Sequence, residues 1–571
     1  MQDLIIRGAT IVDGSGAAAQ TGDLAVKDGV ITQVGGKAGS AKREIQAQGG
    51  LVTPGWIDIH THYDGQATWD PYLSPSTWHG VTTAIMGNCG MGFAPVHAER
   101  RDWLIKVMEG VEDIPGSVLH EGLQWDWETF PEYLDALERR SFALDIGAQI
   151  PHSALRAYVM GERAIHHDEA TPKDLFAMRN LVREGMQAGA MGFSTSRTFI
   201  HKYDERKYPP GTFATADEIT GLGSVLGEVG HGVFQMTTNH GGLQGEIPWL
   251  LQLARLNKLP VMFNLQQTDP APDLWKDIVK TLDSAQTEGV PLFAAICGRP
   301  VGLLFSFQSS LHPFIAHPTY QSIAGLPFEQ RVKKLQDPAI RQRILTEQRD
   351  LVDRRAETLF GSFHKMYRMA ERPDYEPDPS QSVAALAKQG NKVPLEMVYD
   401  LMLEQDGRAI IYYPSFNYSY ENLDHIHQLM QHRHTVNSLS DGGAHCNYIC
   451  DVSLPTFMLT HWTKDRTRGP LLPLEHIIKR QTYDTAQVYG LHDRGLLKVG
   501  YKADINVIDP DALALHRPEF VHDLPAGGRR LVQRADGYLA TIVRGQPIFE
   551  NAQATGNLPG KVLRGPQALA H

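Results

Sequence analysis

The stretch from residue 54 to residue 62 decides the fold, and it reads Pro54-Gly55-Trp56-Ile57-Asp58-Ile59-His60-Thr61-His62. An apolar strand ends here in two histidines that are one residue apart. Because alternate side chains of a strand project to the same face, His60 and His62 point in the same direction. Two neutral imidazoles held side by side suit a divalent, zinc-like ion. A His-x-His pattern can also occur by chance in a loop, and the rest of the chain has to distinguish a metal site from such a chance pattern.

Seven more apolar segments follow this one along the chain. The eight strand candidates are residues 56–60, 81–87, 142–150, 190–195, 232–238, 260–266, 289–297 and 435–440. Helical patterns lie between several of them, and one opens at Thr171-Pro172, a capping residue followed by proline. Eight strand-then-helix units predict an α/β fold, a (β/α)8 TIM barrel, whose chemistry lies at the C-terminal ends of the strands. His60 and His62 end the first strand, where this fold would place a catalytic site.

The two ends of the chain have a different pattern. The first 53 residues consist of short apolar runs broken by Asp-Gly turns, which is typical of β-hairpins, and the far C-terminus has similar runs. We expect residues 1–53 plus 497–571 to form a small discontinuous β-sandwich domain beside a barrel domain of residues 54–496. Residues 300–430 form an insertion with a charged helical run from about Phe328 to Arg368. This insertion is either a lid over the barrel mouth or a solvated helical subdomain that binds a partner.

The composition excludes several function classes. A net charge of −11 argues against nucleic acid as a partner, because phosphates demand a basic surface. Hydrophobic and charged contents of 42% and 21% are those of a soluble globular protein, and no stretch approaches the roughly 18 apolar residues of a membrane span. Four cysteines are too few for a disulfide framework, and the N-terminus lacks a secretory pattern. We expect a cytoplasmic protein with a small-molecule substrate and no membrane partner, and we leave homo-oligomer formation open.

Two further residues could act at the ends of other strands. Cys89 follows strand two between Gly87 and Gly90, which let the backbone turn sharply and bring the thiol over the barrel. A thiolate is a strong zinc ligand, but a buried free cysteine usually acts as a small apolar side chain. Asp441 follows strand eight and could contact a metal and carry a proton between an attacking water and a leaving group. The other interpretation of Asp441 is an ordinary Asp-Gly turn.

Taken together, these motifs resemble those of the amidohydrolase superfamily. The matching segments are residues 54–62, Gly80-Val81-Thr82-Thr83, Gly87-Asn88-Cys89-Gly90, Ser440-Asp441-Gly442, Asp493-Arg494-Gly495-Leu496-Leu497 with Gly500 and Ala503-Asp504, and Gly560-Lys561-Val562-Leu563-Arg564. The chain is most similar to the N-acyl-D-amino-acid deacylase (D-aminoacylase) branch, and the 300–430 insertion falls outside the resemblance. The resemblance implies a TIM barrel with a small β-sandwich, and a hydrolase that depends on one or two ions of zinc or a related metal.

The resemblance also implies a set of metal ligands. It makes His60 and His62 ligands on strand one, Cys89 the thiolate ligand of this branch, and Asp441 a ligand or proton shuttle. The branch normally adds one histidine from strand five and one from strand six, and neither is found here in the expected place; no metal-bridging lysine is evident on strand four. Three explanations remain open. In the first, His240 replaces a missing ligand. In the second, His60, His62 and Asp441 hold a single ion, with or without Cys89. In the third, metal affinity is so weak that the protein works differently or not at all.

Candidates for substrate binding lie on the loops at the barrel mouth. Arg197, after strand four, could bind a substrate carboxylate through two hydrogen bonds with His201 as a second donor, as the corresponding loop does in the resembled branch. The alternative is an ordinary charged surface loop. Arg299, after strand seven, is another candidate for the carboxylate. His152, after strand three, could donate to a developing oxyanion or could be a histidine satisfied within the core.

Three functional hypotheses follow. The leading one is hydrolysis of the amide C–N bond of an N-acyl amino acid, with the D-enantiomer favoured, or of a similar carboxylate-bearing amide. Asp441 would take a proton from the attacking water and return it to the leaving amine. The second is a related metal hydrolase of a cyclic amide, lactone or ester, because the barrel hosts many chemistries. The third is a non-catalytic barrel that serves as a binding or assembly module.

Overall fold

The computed structural model describes residues 1–204, 207–350, 354–438 and 440–569, without the side chains of residues 354 and 355. Barrel strands one to eight are Trp56–Asp58, Val81–Met86, Asp145–Ala148 with Ile150–Pro151, Gly192–Ser196, Val233–Thr237, Val261–Asn264, Leu292–Ile296 and Thr435–Asn437. Neighbouring strands pair in parallel. The N–H of His62 donates to the carbonyl of Gly442 at 2.7 Å and closes the ring between strands one and eight. The predicted TIM barrel is confirmed; Leu439, inside the predicted eighth strand, lies outside the described residues.

Helices surround this barrel. In the described residues, the link between strands one and two has only 3-10 turns, at Gln66–Thr68 and Ser76–His79. The helices after strand two are Arg101–Glu112, Gly116–Gly122 and Phe130–Glu138, and those after strand three are His152–Met160, Glu162–Ile165 and Pro172–Gln187. Strands four, five and six are followed by Ala216–Val229, Leu243–Asn257 and Leu274–Glu288, respectively. Asp424–Leu429 precedes strand eight, and Leu454–Thr460, Leu474–Gln481 and Tyr483–Val488 follow it. The predicted helix start at Thr171 is confirmed by reciprocal hydrogen bonds with Asp174. No helix in these ranges has the length and apolar character needed to cross a membrane.

The side chains that point into the barrel fall in two layers. The lower layer is apolar and consists of Ile57, Ile85, Met191, Val233, Met262, Ala295 and Val436. Two residues further along, the interior positions become polar: Val233 is followed by Gln235 and Thr237, and Met262 is followed by Asn264. Because residues i and i+2 of a strand share a face, these polar groups lie directly above the apolar layer, toward the C-terminal ends of the strands. The apolar layer is therefore the floor of a polar mouth.

Both ends of the chain meet in one nine-stranded sheet. Its strands, in spatial order, are Gln553–Ala554, Gln546–Glu550, Tyr538–Val543, Ile505–Ile508, Leu51–Pro54, Gln2–Ile11, Gln20–Lys27 and Val30–Val34, with Ala41–Gln46 also pairing with Gln2–Ile11. The sheet buries its own apolar cluster, which includes Leu4, Ile6 and Ile505. The antiparallel pairing of Ile505–Ile508 with Leu51–Pro54 joins the two terminal segments next to the start of strand one.

The insertion after strand seven has a small sheet and a core of its own. Its three strands are Gly302–Phe305, Tyr367–Arg368 and Ile411–Pro414. Its helices are Pro318–Ala324, Phe328–Leu335, Pro338–Thr346, Arg354–Gly361, Val383–Gln389 and Pro394–Gly407. The charged run predicted from Phe328 to Arg368 is therefore broken into several helices, and its residues 351–353 lie outside the described part. The separate core contains Phe307, Phe314, Tyr399 and Met402.

The C-terminal segment also returns to the barrel. Residues 514–536 leave the nine-stranded sheet and form two short pairs, Glu519–Leu524 with Gly528–Val532 and Ala514–Leu515 with Ala535–Asp536. Further on, Ile146 of strand three donates its N–H to the carbonyl of Lys561 at 3.0 Å and accepts from Leu563 at 2.7 Å. Gly565 then donates to Gly189, just before strand four, at 2.9 Å. The domain bounds predicted from the sequence stay a proposal, because parts of the segment 497–571 contact the barrel wall directly.

A buried ion cluster links the same segment to strand three. Asp145, at the start of that strand, lies 2.7 Å from Arg494 and 2.8 Å from Lys502. Burial alone would raise the pKa of Asp145, but these two cations outweigh it and hold the pKa below its usual range. The cluster therefore fixes the barrel wall to the chain that follows strand eight.

Candidate metal centre

Three predicted ligands come together at the barrel mouth. His60, His62 and Cys89 are all buried, and each offers a ligand atom within 4.8 Å of the others. Nε2 of His60 lies 3.2 Å from Sγ of Cys89. The two imidazole rings meet edge to face with centroids 5.4 Å apart. The geometry predicted from the His-x-His spacing and the glycine-flanked cysteine is thus present in the fold.

The turn after strand two aims the thiol at the histidines. Cys89 has φ 56° and lies between Gly87 at φ 78° and Gly90 at φ 69°, all three in the left-handed region. A Cβ on Gly87 would come within 2.4 Å of the carbonyl oxygen of Gln149, so only glycine fits that close approach. A non-glycine residue in this conformation is strained and is held by its surroundings, which is common at functional sites.

Asp441 approaches the same point from strand eight. Its Oδ1 lies 3.3 Å from Nε2 of His60 and 3.7 Å from Nε2 of His62, and its side chain is 15% exposed. Burial opposes ionisation, but the two histidines and His445 outweigh it and hold the pKa of Asp441 below its usual range. Asp441 also has φ 50°. The carboxylate is therefore ionised, close to both imidazoles and open toward the mouth.

This donor set fits a divalent ion of the zinc type. A tetrahedral zinc with bonds of ~2.0 to 2.3 Å keeps its ligand atoms about 3.3 to 3.6 Å apart. Three of the separations lie close to that spacing: Nε2 of His60 is 3.2 Å from Cys89 and 3.3 Å from Asp441, and Nε2 of His62 is 3.7 Å from Asp441. The ligand atoms of His60, His62 and Cys89 all lie within 4.8 Å of one another. Burial lowers the pKa of His60 to about 3, so that imidazole is neutral and able to donate its lone pair.

The interior positions of strands five and six have amides where the resemblance implies histidines. Gln235 accepts a hydrogen bond from the backbone N–H of Cys89 at 3.0 Å and donates to Asn264 at 3.3 Å. Asn264 donates to the hydroxyl of Thr237 at 3.0 Å, and Thr237 donates to Sγ of Cys89 at 3.0 Å. The four residues thus form a closed ring of hydrogen bonds. Sequence reasoning noticed the missing histidines but not this ring, which depends on three strand ends meeting.

His240 lies apart from this cluster. It opens the 3-10 turn His240–Gly242 beyond the end of strand five, and its ring packs against Phe416 of the insertion with centroids 5.1 Å apart. Within the described ranges, the group of clustered ligand atoms contains His60, His62 and Cys89 but not His240. The assignment of His240 as a replacement ligand therefore stays a prediction, and the inward-facing positions of strand five are Gln235 and Thr237.

The predicted carboxylate-binding pair on the strand-four loop lies beside the centre. His201 is hydrogen-bonded to Ser196 at 3.2 Å, and burial lowers its pKa to about 3. Arg197 is partly exposed and forms an ion pair with Glu246 at 3.1 Å. Glu246 therefore neutralises part of the charge that Arg197 could offer to a substrate.

Two other predicted substrate contacts are engaged elsewhere. Arg299 is 1% exposed, pairs with Asp451 at 2.8 Å and covers the ring of Tyr375 at 4.0 Å, so its guanidinium cannot reach a substrate. His152 is also buried and pairs with Thr195 at 2.8 Å and Glu218 at 3.0 Å. We correct both assignments: these side chains are engaged within the core, as the alternative for His152 anticipated.

Sequence reasoning missed Glu112 altogether. This buried residue ends the helix Arg101–Glu112, and its Oε1 lies 3.4 Å from Nδ1 of His62. No motif marks it, because its place beside His62 comes from the docking of a helix that is far from strand one in sequence. The spacing of apolar residues would class it only as the last residue of an amphipathic helix.

A family model described as the amidohydrolase family matches residues 43–549. The chain belongs to the amidohydrolase family. The match spans all eight barrel strands, the insertion and part of the terminal sheet.

Known relatives cover almost the whole of this amidohydrolase. A D-aminoacylase of Alcaligenes xylosoxydans xylosoxydans is 26% identical over 98% of this chain and 97% of its own length. A solved D-aminoacylase, studied for its binuclear metal centre, has a TM-score of 0.66 at 23% identity and covers 99% of this chain and 100% of its own. An N-acyl-D-glutamate deacylase from Bordetella bronchiseptica, solved with zinc and a phosphonate inhibitor, has the same TM-score at 22% identity and the same coverage. At these identities the solved structures establish the fold.

Proposed function

We propose that this amidohydrolase is a metal-dependent hydrolase that cleaves the amide C–N bond of an N-acylated amino acid. The observation that carries the proposal is the ionised Asp441 carboxylate, 3.3 Å from Nε2 of His60 and partly open to the mouth. An acyl-transfer site needs a base at this position, beside the ion and within reach of substrate. The names of the relatives, D-aminoacylase and N-acyl-D-glutamate deacylase, support the substrate class and favour the D-enantiomer.

The donor set favours one zinc ion for each chain. His60, His62, Cys89 and Asp441 would hold it, and it would polarise the scissile carbonyl and acidify a water. The ring of Gln235, Asn264 and Thr237 favours a single ion, because neutral amides and hydroxyls are weak ligands for zinc.

The residues of the chain supply the remaining chemistry. Asp441 accepts the proton of the attacking water and returns it to the leaving nitrogen, which balances the proton inventory of hydrolysis. Its strained backbone and its contacts with both histidines fix the carboxylate before substrate arrives. Burial raises the pKa of the Cys89 thiol, and the Thr237 hydroxyl, which donates to Sγ of Cys89, opposes this by favouring the thiolate.

Recognition of the substrate carboxylate belongs to the loop after strand four. Arg197 and His201 lie on this loop and offer cationic and neutral donors next to the centre. The insertion also reaches the mouth, where Asn417 contacts Gln266 and Gln267 after strand six. We assign it the role of a lid. A reducing, cytoplasmic location agrees with four buried free cysteines.

Metal analysis and a substrate panel together test the proposal. We expect about one zinc per chain, the number of ions that one such set of protein ligands holds. The panel contains N-acyl-D-amino acids, their L-enantiomers, hydantoins and lactones. Hydrolysis of the N-acyl-D-amino acids, lost with a chelator and restored by zinc, is the expected result. Hydrolysis of hydantoins or lactones alone would point to the second hypothesis, and a metal-free protein without activity would support the non-catalytic one.

A further inference from the structure

A buried carboxylate stands directly behind the proposed metal centre. Glu112 is 1% exposed; its Oε1 lies 3.4 Å from Nδ1 of His62, and its Oε2 lies 3.9 Å from Nε2 of His445. Neither Oε1 nor Nδ1 of His62 has a hydrogen bond to any other described atom. Each of the two atoms thus lacks a hydrogen-bond partner among the described residues, and they lie 3.4 Å from one another.

Glu112 lacks the arginine partner that several other buried carboxylates of this chain have. Four of these each contact an arginine, in the pairs Asp145–Arg494, Glu218–Arg156, Glu376–Arg466 and Asp451–Arg299. The ion pairs of Glu112 within the described ranges are with His62 and His445 alone. A buried carboxylate is unfavourable without a cation or a strong donor, so an ion bound to the other side of His62 would supply the missing compensation.

The main chain holds Glu112 in place from two sides. Its carbonyl accepts the N–H of His445, on the loop that carries Asp441. The next residue, Asp113, accepts the N–H of Asn447 at 2.8 Å and has φ 53°, which ends the helix abruptly. The end of this helix and the loop after strand eight are thus one unit. These bonds fix the backbone position from which the side chain of Glu112 extends toward His62.

We propose that Glu112 is a positioning residue of the metal centre, which accepts the Nδ1–H of His62 and thereby presents Nε2 to the ion. A carboxylate behind a metal-ligating imidazole fixes its tautomer, orients the ring and makes the lone pair more basic. The proposal rests on the proposed function and deepens it, because it adds a residue that no motif marks. Through the same carboxylate, His445 is tied to the centre.

The test compares three variants of the full chain after removal of metal with a chelator. Glu112→Gln keeps the shape of the side chain but removes its charge, and Glu112→Asp keeps the charge but withdraws it from His62 by one methylene. Glu109→Gln, an exposed position three residues earlier on the same helix, is the matched control. Dissociation constants for Zn2+ are measured by chelator competition, the absorption spectrum is recorded with Co2+, and thermal unfolding is recorded without metal.

We expect Glu112→Gln to bind Zn2+ about 10- to 100-fold more weakly than the wild type, with an altered cobalt spectrum and no loss of metal-free thermal stability. The Zn2+ affinity of Glu112→Asp should lie between those of the wild type and Glu112→Gln, and the affinity of Glu109→Gln should match that of the wild type. Wild-type affinity in Glu112→Gln would overturn the inference, and if that variant does not fold, wild-type affinity in Glu112→Asp would do so. A wild-type chain that binds no metal would instead refute the proposed function.

Discussion

Gln235 accepts a hydrogen bond from the backbone N–H of Cys89 at 3.0 Å, so an amide on strand five holds the thiol-bearing turn of strand two. In the resembled branch a histidine is expected at this level of strand five, and here the position has a structural contact instead. The same turn receives the hydroxyl of Thr237 on its sulfur. One half of the mouth is therefore closed by neutral hydrogen bonds, and the ionisable groups gather in the half formed by strands one and eight.

The number of bound ions should change when the amides are replaced. The double variant Gln235→His with Asn264→His places two imidazoles beside Cys89, and three ligands are enough for a catalytic zinc. We expect zinc content to rise from about one to about two ions per chain, measured by mass spectrometry of the elements after dialysis.

The control for this change is Gln149→His, another buried amide on the barrel interior that contacts Asn88 at 2.8 Å. It should leave the zinc content unchanged. An unchanged zinc content in the double variant, with its fold retained, would contradict our inference that Gln235 and Asn264 limit the site to one ion.

Removal of the proposed proton shuttle should separate catalysis from folding. Asp441→Asn keeps the volume of the side chain but cannot accept a proton, so turnover should fall by about 100- to 10,000-fold. The fold should be retained, since Asp441 is partly exposed and has no arginine or lysine ion pair in the described ranges. The measurement is steady-state kinetics with thermal unfolding as the check on structure. Asp465→Asn, at an exposed position, is the control. If Asp441→Asn turns over substrate as fast as this control, Asp441 is not the proton shuttle.

The balance between Arg197 and Glu246 should control recognition of the substrate carboxylate. Arg197→Gln removes the cation and should raise KM by about tenfold, which corresponds to ~1.4 kcal/mol. Glu246→Gln frees the same guanidinium and should lower KM, by less because the pair is partly exposed to solvent. Both effects should vanish for a substrate whose carboxylate is replaced by a carboxamide. Equal changes for the charged and uncharged substrates would show that the loop acts through structure alone.

The Asp145 cluster should make stability depend on pH in a defined direction. The folded-state pKa of Asp145 lies below its unfolded value, so its contribution is complete above about pH 4 and is lost as the pH falls through the folded-state pKa. At pH 7, Asp145→Asn should lower the free energy of unfolding by about 3 to 5 kcal/mol, because Arg494 and Lys502 lose their buried counter-charge. The difference from wild type should shrink below about pH 4, as followed by urea unfolding at several pH values.

Asp493→Asn is the appropriate comparison for that variant, since Asp493 contacts the same arginine but is partly exposed. It should lower the free energy of unfolding by less than about 1 kcal/mol. A similar decrease in the free energy of unfolding in both variants would mean that burial does not determine how much the Asp145 ion pair stabilises the fold.

The barrel was predictable because its signals are local. Strands two, five, six and seven are runs of four to six mostly apolar residues, and parallel strands buried on both faces have this pattern wherever they occur. His60, His62, Cys89 and Asp441 were predictable for a related reason. All four follow directly on such runs, and a closed barrel brings the ends of its strands together.

Other residues could not be predicted because their partners are remote in sequence. Arg299 lies after strand seven, as a substrate-binding residue would, but its ion pair with Asp451 depends on how the helix after strand eight packs. Glu112 shows the opposite error, since an unmarked helical residue lies against a predicted ligand. In both cases the chemistry of the side chain was evident, and only the packing of helices against the barrel determined its use.

The contact of residues 560–565 with strands three and four affects how this protein is made. Translation delivers strand three long before Lys561, so the backbone groups of Ile146 that Lys561 and Leu563 pair with stay open until those two residues have been made. A nascent barrel would expose an unpaired backbone edge at Ile146 during that interval, and such edges invite pairing with other chains. Completion of the wall therefore waits for residues 560–565, long after strands three and four have been made.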